Sequence, residues 1–309
     1  MEVSELEQKR KSYFALAKEI NGPTSEAFKE IEELVIKGYL SFDIAERKLR
    51  ELHKDAKTKE ELRERESDIT YLRIAKLLEE PYELITEYDA KTRGKIMSPK
   101  NLKVIHKKIL DGFDDYVPGM MRCEAEEAKK VNLHKPEHIF EIRKQDGTVE
   151  HDTVKYKNYF DIESTLEFDF KDETFVRYKN LSNAEIIDNI ADFTSRIWQV
   201  HPFREGNTRT TLLFMIKYLQ ARFGSEAFQM HFDKVKNSGL YFREALARSN
   251  YYNEDYGVRG DKTFLVKYFE NLVAGKSNSL KREDIPIVMD EATHTYQKKK
   301  DLDKEDIWK

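Results

Sequence analysis

His201, Glu205 and Arg209 stand four residues apart in the stretch His201-Pro202-Phe203-Arg204-Glu205-Gly206-Asn207-Thr208-Arg209. A histidine at the end of a helix offers a proton acceptor. A carboxylate four residues later is a hard-cation ligand. Gly206 and Asn207 allow a tight turn. Arg209 then falls in the first turn of the next helix, where backbone N–H groups already favour an anion. Together these are the parts needed to move a group from a metal-bound phosphate ester to a hydroxyl. A lone histidine at a helix end is ordinarily a cap, and a lone Glu-Gly-Asn is ordinarily a turn. The joint pattern H-P-F-x-[DE]-G-N-x-R is different, since chance gives it roughly once per billion start positions.

Two helices must hold this loop. SNAEIIDNIADFTSRIWQV opens with Ser182 and Glu185, a capping box, and carries an apolar face of Ile186, Ile187, Ile190, Phe193, Ile197 and Trp198. After the loop, TTLLFMIKYLQARF is hydrophobic nearly all round and reads as the buried central helix. Further helices are expected at 102–113, 238–249 and 262–274. Between them, FEIRKQDGTVEHDTVKYKNYF places Asp146-Gly147 between alternating segments, a β-hairpin signal. Upstream, residues 4–53 read as three short helices separated by Asn21-Gly22-Pro23 and by Gly38-to-Ser41, too small to stand alone. Residues 54–67, KDAKTKEELRERES, read as a charged linker or solvated helix.

Composition narrows the class. The 309 residues suffice for one large domain or two modest ones. Lys plus Arg total 54 against 58 Asp plus Glu, a net charge of −4, which weighs against nucleic-acid binding. Only 12 Gly and 7 Pro argue against an all-β fold. Cys123 is the one cysteine, so an internal disulfide and a Cys-based zinc site are excluded. No apolar run approaches the roughly 18 residues of a membrane span, and the charged N-terminus shows no secretory signal. A cytoplasmic protein is expected, with export by another route left open.

The loop resembles the signature of the Fic family, commonly HPFx[DE]GNGRxxR, whose members transfer AMP from ATP to a hydroxyl side chain of a target protein. LKVIHKKILDGFDDYVPGMMR (102–122) is similar to the early Fic helix and its exit. TVKYKNYFDI (153–162) falls where the family has its flap, and YFREALARSNYYN (241–253) resembles a downstream helix of one bacterial branch. The resemblance implies a mainly α fold: a Fic-type helical bundle with a small β-hairpin flap, plus an N-terminal three-helix module. It implies an antitoxin-like helical module at 1–53, a charged linker at 54–69, a Fic domain at 70–275 and a polar tail at 276–309. It implies ATP and Mg²⁺, and a target protein presenting a Ser, Thr or Tyr hydroxyl, with no nucleic acid or membrane partner and a homo-oligomer open.

Carried over residue by residue, His201 is the general base, Phe203 anchors the loop and Glu205 holds Mg²⁺. Gly206, Asn207 and Thr208 line the anion hole and Arg209 contacts a phosphate. Val154, Lys155 and Tyr156 form the flap that pairs with the target backbone. Two positions depart from the family pattern. Thr208 replaces the second Gly, a poor fit where a positive φ is needed and acceptable at a helix N-terminus. Leu212 replaces the final Arg. Doc toxins share both departures and phosphorylate their target, so a Doc-like kinase is the alternative and a silent Fic-fold binding protein a third. In the N-terminal module, Ala15–Asn21 resembles an antitoxin motif that would make Glu19 inhibitory.

Overall fold

A computed structural model describes residues 3–18, 24–81, 87–89, 94–96, 98–124, 138–144, 149–223, 230–254, 258–285 and 287–289. Among these the fold is mainly helical: α1 (Val3–Ala17), α2 (Glu26–Ile36), α3 (Phe42–Leu52), α4 (Lys59–Glu79), α5 (Pro99–Leu110), α6 (Ile162–Phe175), α7 (Asn183–Val200), α8 (Asn207–Phe223), α9 (Gly239–Asn250) and α10 (Thr263–Ala274). Short strands β1 (Glu87–Asp89) and β2 (Gly94–Ile96) pair antiparallel. A second sheet has the order β4-β3-β5. There β3 (His138–Lys144) pairs antiparallel with β4 (Val149–Val154) and parallel with β5 (Ile287–Met289). The expected hairpin is therefore present as β3 and β4. Its Asp146-Gly147 turn lies outside the described residues.

Helix α8 is the centre of the bundle. Residues Thr210 to Leu219 are buried without interruption, as an all-round apolar sequence requires. Helices α5, α4 and α7 pack around it, and α9 and α10 close over α7. Even its one buried lysine is used: Lys217 donates to the carbonyls of Leu78 and Glu80 at the C-terminal end of α4, where a cation is favoured.

The N-terminal helices do lean on a neighbour, as their size demands. Helices α1 and α3 pack along α4, and Phe14 and Phe28 meet Tyr71 of α4 at ring separations of 5.8 and 5.0 Å. Ser25, the N-cap of α2, is held by the buried carboxylate of Asp68. That carboxylate accepts from the Ser25 backbone N–H (2.9 Å) and hydroxyl (2.6 Å), and lies 2.8 Å from His53 Nε2.

Two readings change. Of the linker and solvated-helix readings of residues 54–67, the structure has the helix from Lys59 on, so the linker bounds of 54–69 do not hold: α4 starts behind a Thr58–Glu61 capping box and runs unbroken past residue 69. Its first turns project into solvent, which is why they carry charge instead of apolar residues. The segment after 275 is not simply a polar tail. Asn278 exchanges hydrogen bonds with Asn271, Ile285 is buried, and β5 joins the sheet.

Candidate active site

The loop between α7 and α8 is fixed from both ends. His201 is the C-cap of α7 in the left-handed region, at φ 50°, with its N–H on the Trp198 carbonyl (3.0 Å). A non-glycine residue there is strained and must be held. The holding group is Arg122. Its buried guanidinium donates to the carbonyls of His201 (2.7 Å), Lys157 (3.0 Å) and Val200 (3.3 Å), and its backbone N–H donates to Pro202 (2.7 Å). Burial lowers the Arg122 pKa, yet the guanidinium keeps its charge at any working pH.

The imidazole of His201 is aimed by aromatic contacts. Tyr156 stacks on it at 3.7 Å between centroids and 11° between planes, and Trp198 meets it edge-on at 5.7 Å. Val154 and Tyr156 are buried, and of the three expected flap residues only Lys155 exposes its side chain. What the segment presents outward is the backbone edge of β4, which among the described residues pairs with β3 alone.

Inside the loop, Asn207 closes the turn on Phe203. Its Oδ1 accepts from the Phe203 N–H (2.9 Å) and its Nδ2 donates to the Phe203 carbonyl (2.8 Å). Phe203 is fully buried and stacks on the His106 ring at 3.9 Å. Gly206 adopts φ 75°, and a Cβ there would come within 2.9 Å of Leu110 Cδ1. Both backbone freedom and close packing demand glycine at this position. Thr208 lies inside the first turn of α8, not at a positive φ, and its hydroxyl accepts from Trp198 Nε1 at 3.0 Å. The departure from glycine is thus accommodated by the helix. Leu212 is buried in the core, 1% exposed.

His106 on α5 supports the loop from below. The Gly119 N–H donates to its Nδ1 (2.9 Å), so Nε2 carries the proton and donates to the Glu205 carbonyl (3.0 Å). Burial, with Arg209 nearby, pushes its pKa down to about 4. Protonating Nδ1 would set two N–H donors face to face. The folded protein therefore binds fewer protons than the unfolded chain between pH 6.5 and 4. The neutral ring's contribution to stability is whole above pH 6.5 and is lost as pH falls toward 4. Unfolding free energy should drop by about 2 kcal/mol from this group between pH 7.5 and 5. Urea titrations at both pH values, with His106→Gln giving a flatter dependence, check it.

Glu205 and Arg209 differ in exposure. The Glu205 side chain is 56% exposed, and its Oε1 accepts from the Gly206 N–H and lies 3.8 Å from Arg209 Nη2. The Arg209 side chain is 9% exposed, and its Nη1 donates to Glu66 (3.0 Å) and Thr70 (3.4 Å) of α4. Glu66 in turn accepts from the Tyr116 hydroxyl at 2.6 Å. Burial first, then that bond, raises the Tyr116 pKa, so the phenol remains a donor. Arg209 Nη1 thus donates to Glu66, and Glu205 lies beside Nη2. Glu19 lies outside the described residues.

No group of three or more His, Cys, Asp or Glu that could hold a metal occurs among the described residues. One exposed carboxylate beside a helix N-terminus nonetheless fits Mg²⁺, which takes one or two carboxylates plus phosphate oxygens and water. Glu205 is the residue that would hold it. No helix among the described residues is long and apolar enough to cross a membrane.

Residues 96–219 match the model of the Fic/DOC family. No curated protein matches the sequence. Among solved structures, the chain is similar to the BepC protein, a VirB-translocated effector of Bartonella tribocorum with bound AMPPNP, at 17% identity. The likeness covers 71% of this chain and 90% of that one, with a TM-score of 0.45.

Proposed function

Residues 96–219 form a Fic/DOC-family domain, and from this premise we propose that the protein is a protein adenylyltransferase. It transfers AMP from ATP to a Ser, Thr or Tyr hydroxyl of a target protein. The observation that carries the reading is the loop itself. His201 closes α7, Asn207 opens α8, and the turn between them is pinned through Phe203 with Glu205 left exposed.

A ring nitrogen of His201 takes the proton from the target hydroxyl. The hydroxyl oxygen bonds to the α-phosphorus as the bond from that phosphorus to the bridging oxygen of pyrophosphate breaks, and pyrophosphate leaves with the electron pair. In this reading the N–H groups in the first turn of α8 and the Arg209 guanidinium support charge on the phosphate oxygens. Magnesium bound to the phosphates would neutralise part of that charge. The target segment adds as a strand along the open edge of β4, an arrangement that needs backbone and no particular side chain. Because the chain leaving β4 packs on His201 through Tyr156, a strand there is registered against the base.

ATP labelled at the α- or the γ-phosphate tests the reading in cell lysate with Mg²⁺. Transfer of the α-label that depends on His201 is expected. Transfer of the γ-label alone would overturn it in favour of a kinase.

Glu66 shapes nucleotide affinity. Its carboxylate already neutralises Arg209 in a poorly exposed position, so incoming phosphates must compete with it. Glu66→Gln keeps an acceptor for Arg209 and Tyr116 but removes the charge. ATP should bind roughly tenfold more tightly, about 1.4 kcal/mol, as calorimetry would read directly. Affinity unchanged or weakened would show that Glu66 orients Arg209 and does not oppose the nucleotide.

A further inference from the structure

Past the end of β4 the chain goes on turning alternate side chains to opposite sides. Val154 and Tyr156 are buried, whereas Lys155 and Lys157 are exposed, the period of two of an extended strand. The Tyr156 ring lies on His201, so the two ammonium groups stand on the face of this segment that turns away from the proposed base. Lys29, Lys37, Lys54, Lys103, Lys108 and Lys276 each meet a carboxylate of their own chain. Lys155 and Lys157 meet none among the described residues. Asp169 lies within reach of the Lys157 charge, but its carboxylate is bonded to Arg196 at 2.8 Å. One unpaired surface lysine is ordinary. Two on one face of the segment that aims His201 form a recognition surface for negative charge.

Resting on the reading of β4 as the edge that takes the target strand, we propose that the target is acidic at the residues on either side of the modified hydroxyl. The alternation of side chains sets the pattern. On a strand added to this edge, the residue opposite Tyr156 shares its face and points toward His201. Its two neighbours in sequence point to the other face, where Lys155 and Lys157 stand. Directly opposed side chains have Cβ atoms about 4.5–5.5 Å apart and diagonal ones about 7–8 Å, both within the span of a lysine, and opposite charges there attract while like charges repel. Ladder pairing stops at Lys157, whose N–H is given to the Gln199 carbonyl (3.3 Å) and whose carbonyl accepts from Arg122 (3.0 Å). A target strand is thereby kept from sliding on past Tyr156. The same arrangement holds the target's carboxylates on the face away from His201, and so away from the phosphates that they would repel.

Fluorescent peptides with one central Thr, flanked on both sides by Glu, Gln or Lys, test this against the full chain. Anisotropy at low salt should show the Glu-flanked peptide binding roughly tenfold more tightly than the Lys-flanked one, with Gln between. Moving both Glu residues one position outward keeps the net charge but turns them to the His201 face, and the advantage should vanish. Lys155→Glu combined with Lys157→Glu should reverse the order of the peptides. Both side chains are exposed, so that variant should keep its melting temperature, and its ATP affinity by calorimetry should hold. Equal affinities overturn the proposal, as does a preference that follows net charge regardless of position or survives the double reversal. Failure of every peptide to bind at about 1 mM overturns it too, and a matching loss of ATP affinity would assign the lysines to the nucleotide. Transfer of α-label to the same peptides is read separately. The charge preference without His201-dependent transfer would sink the adenylyl-transfer reading and leave the docking rule standing, whereas transfer indifferent to the flanks would do the opposite.

Discussion

His201→Ala removes target modification almost completely, with the rate falling about 10³-fold, while ATP affinity and melting temperature change little. The split follows from where the side chain sits. Its backbone strain is absorbed by Arg122 and by the Trp198 carbonyl, and both bind the main chain, so they survive truncation. The ring stacks on Tyr156 and meets Trp198 edge-on. The groups proposed to meet the phosphates, on the first turn of α8, are held by Asn207 and Phe203 independently of it. A matched set of calorimetric titrations and single-turnover assays separates the two effects. A loss of ATP binding equal to the loss of rate would show that His201 holds the nucleotide and is not its partner's base.

The parts of this site that the sequence announces are those contiguous in the chain. His201, Phe203, Glu205, Gly206 and Asn207 lie within seven residues, so their types and spacing carry the pattern by themselves. The parts it conceals come from far away. Arg122 precedes His201 by 79 residues and Glu66 precedes Arg209 by 143. Each sits in a segment with a different apparent purpose: Glu66 in a charged run, Arg122 at the exit of α5. Nothing local marks an arginine whose acceptors are three distant carbonyls. Tyr156 was legible in part, because Val154 and Tyr156 alternate on one face and both are apolar enough to be buried.

The fold follows the same division. Capping signals at Ser41, Ser182 and Glu185 set helix starts where the structure has them. Thr58 and Glu61 formed an equally good signal, but the apolar-free turns after it concealed α4, whose buried face begins only at Ser67. Strand β5 was out of reach. Three residues carry no periodicity, and their partner strand lies near residue 142, on the far side of the whole bundle in sequence.

Arg122 is where the proposed target edge and the proposed base are joined, and its replacement should therefore affect turnover beyond its effect on stability. One planar guanidinium spans the chain leaving β4 at Lys157 and the end of α7 at Val200 and His201. An ammonium is a point donor and cannot reproduce that fork. Arg122→Lys keeps the buried charge and one or two of the bonds, so the protein should fold with a modestly lowered melting temperature. The His201 turn, left strained at φ 50° with a weaker tether, should then sit away from its productive position. A displacement of about 1 Å costs on the order of 10² in rate, so kcat should fall about a hundredfold while the KM for ATP holds. Arg122→Ala should fall further and also lose several kcal/mol of stability, since it strands buried carbonyls. If Arg122→Lys instead retains full turnover, the guanidinium is only a fold-holding contact, and the register between β4 and His201 rests on the Tyr156 stack alone.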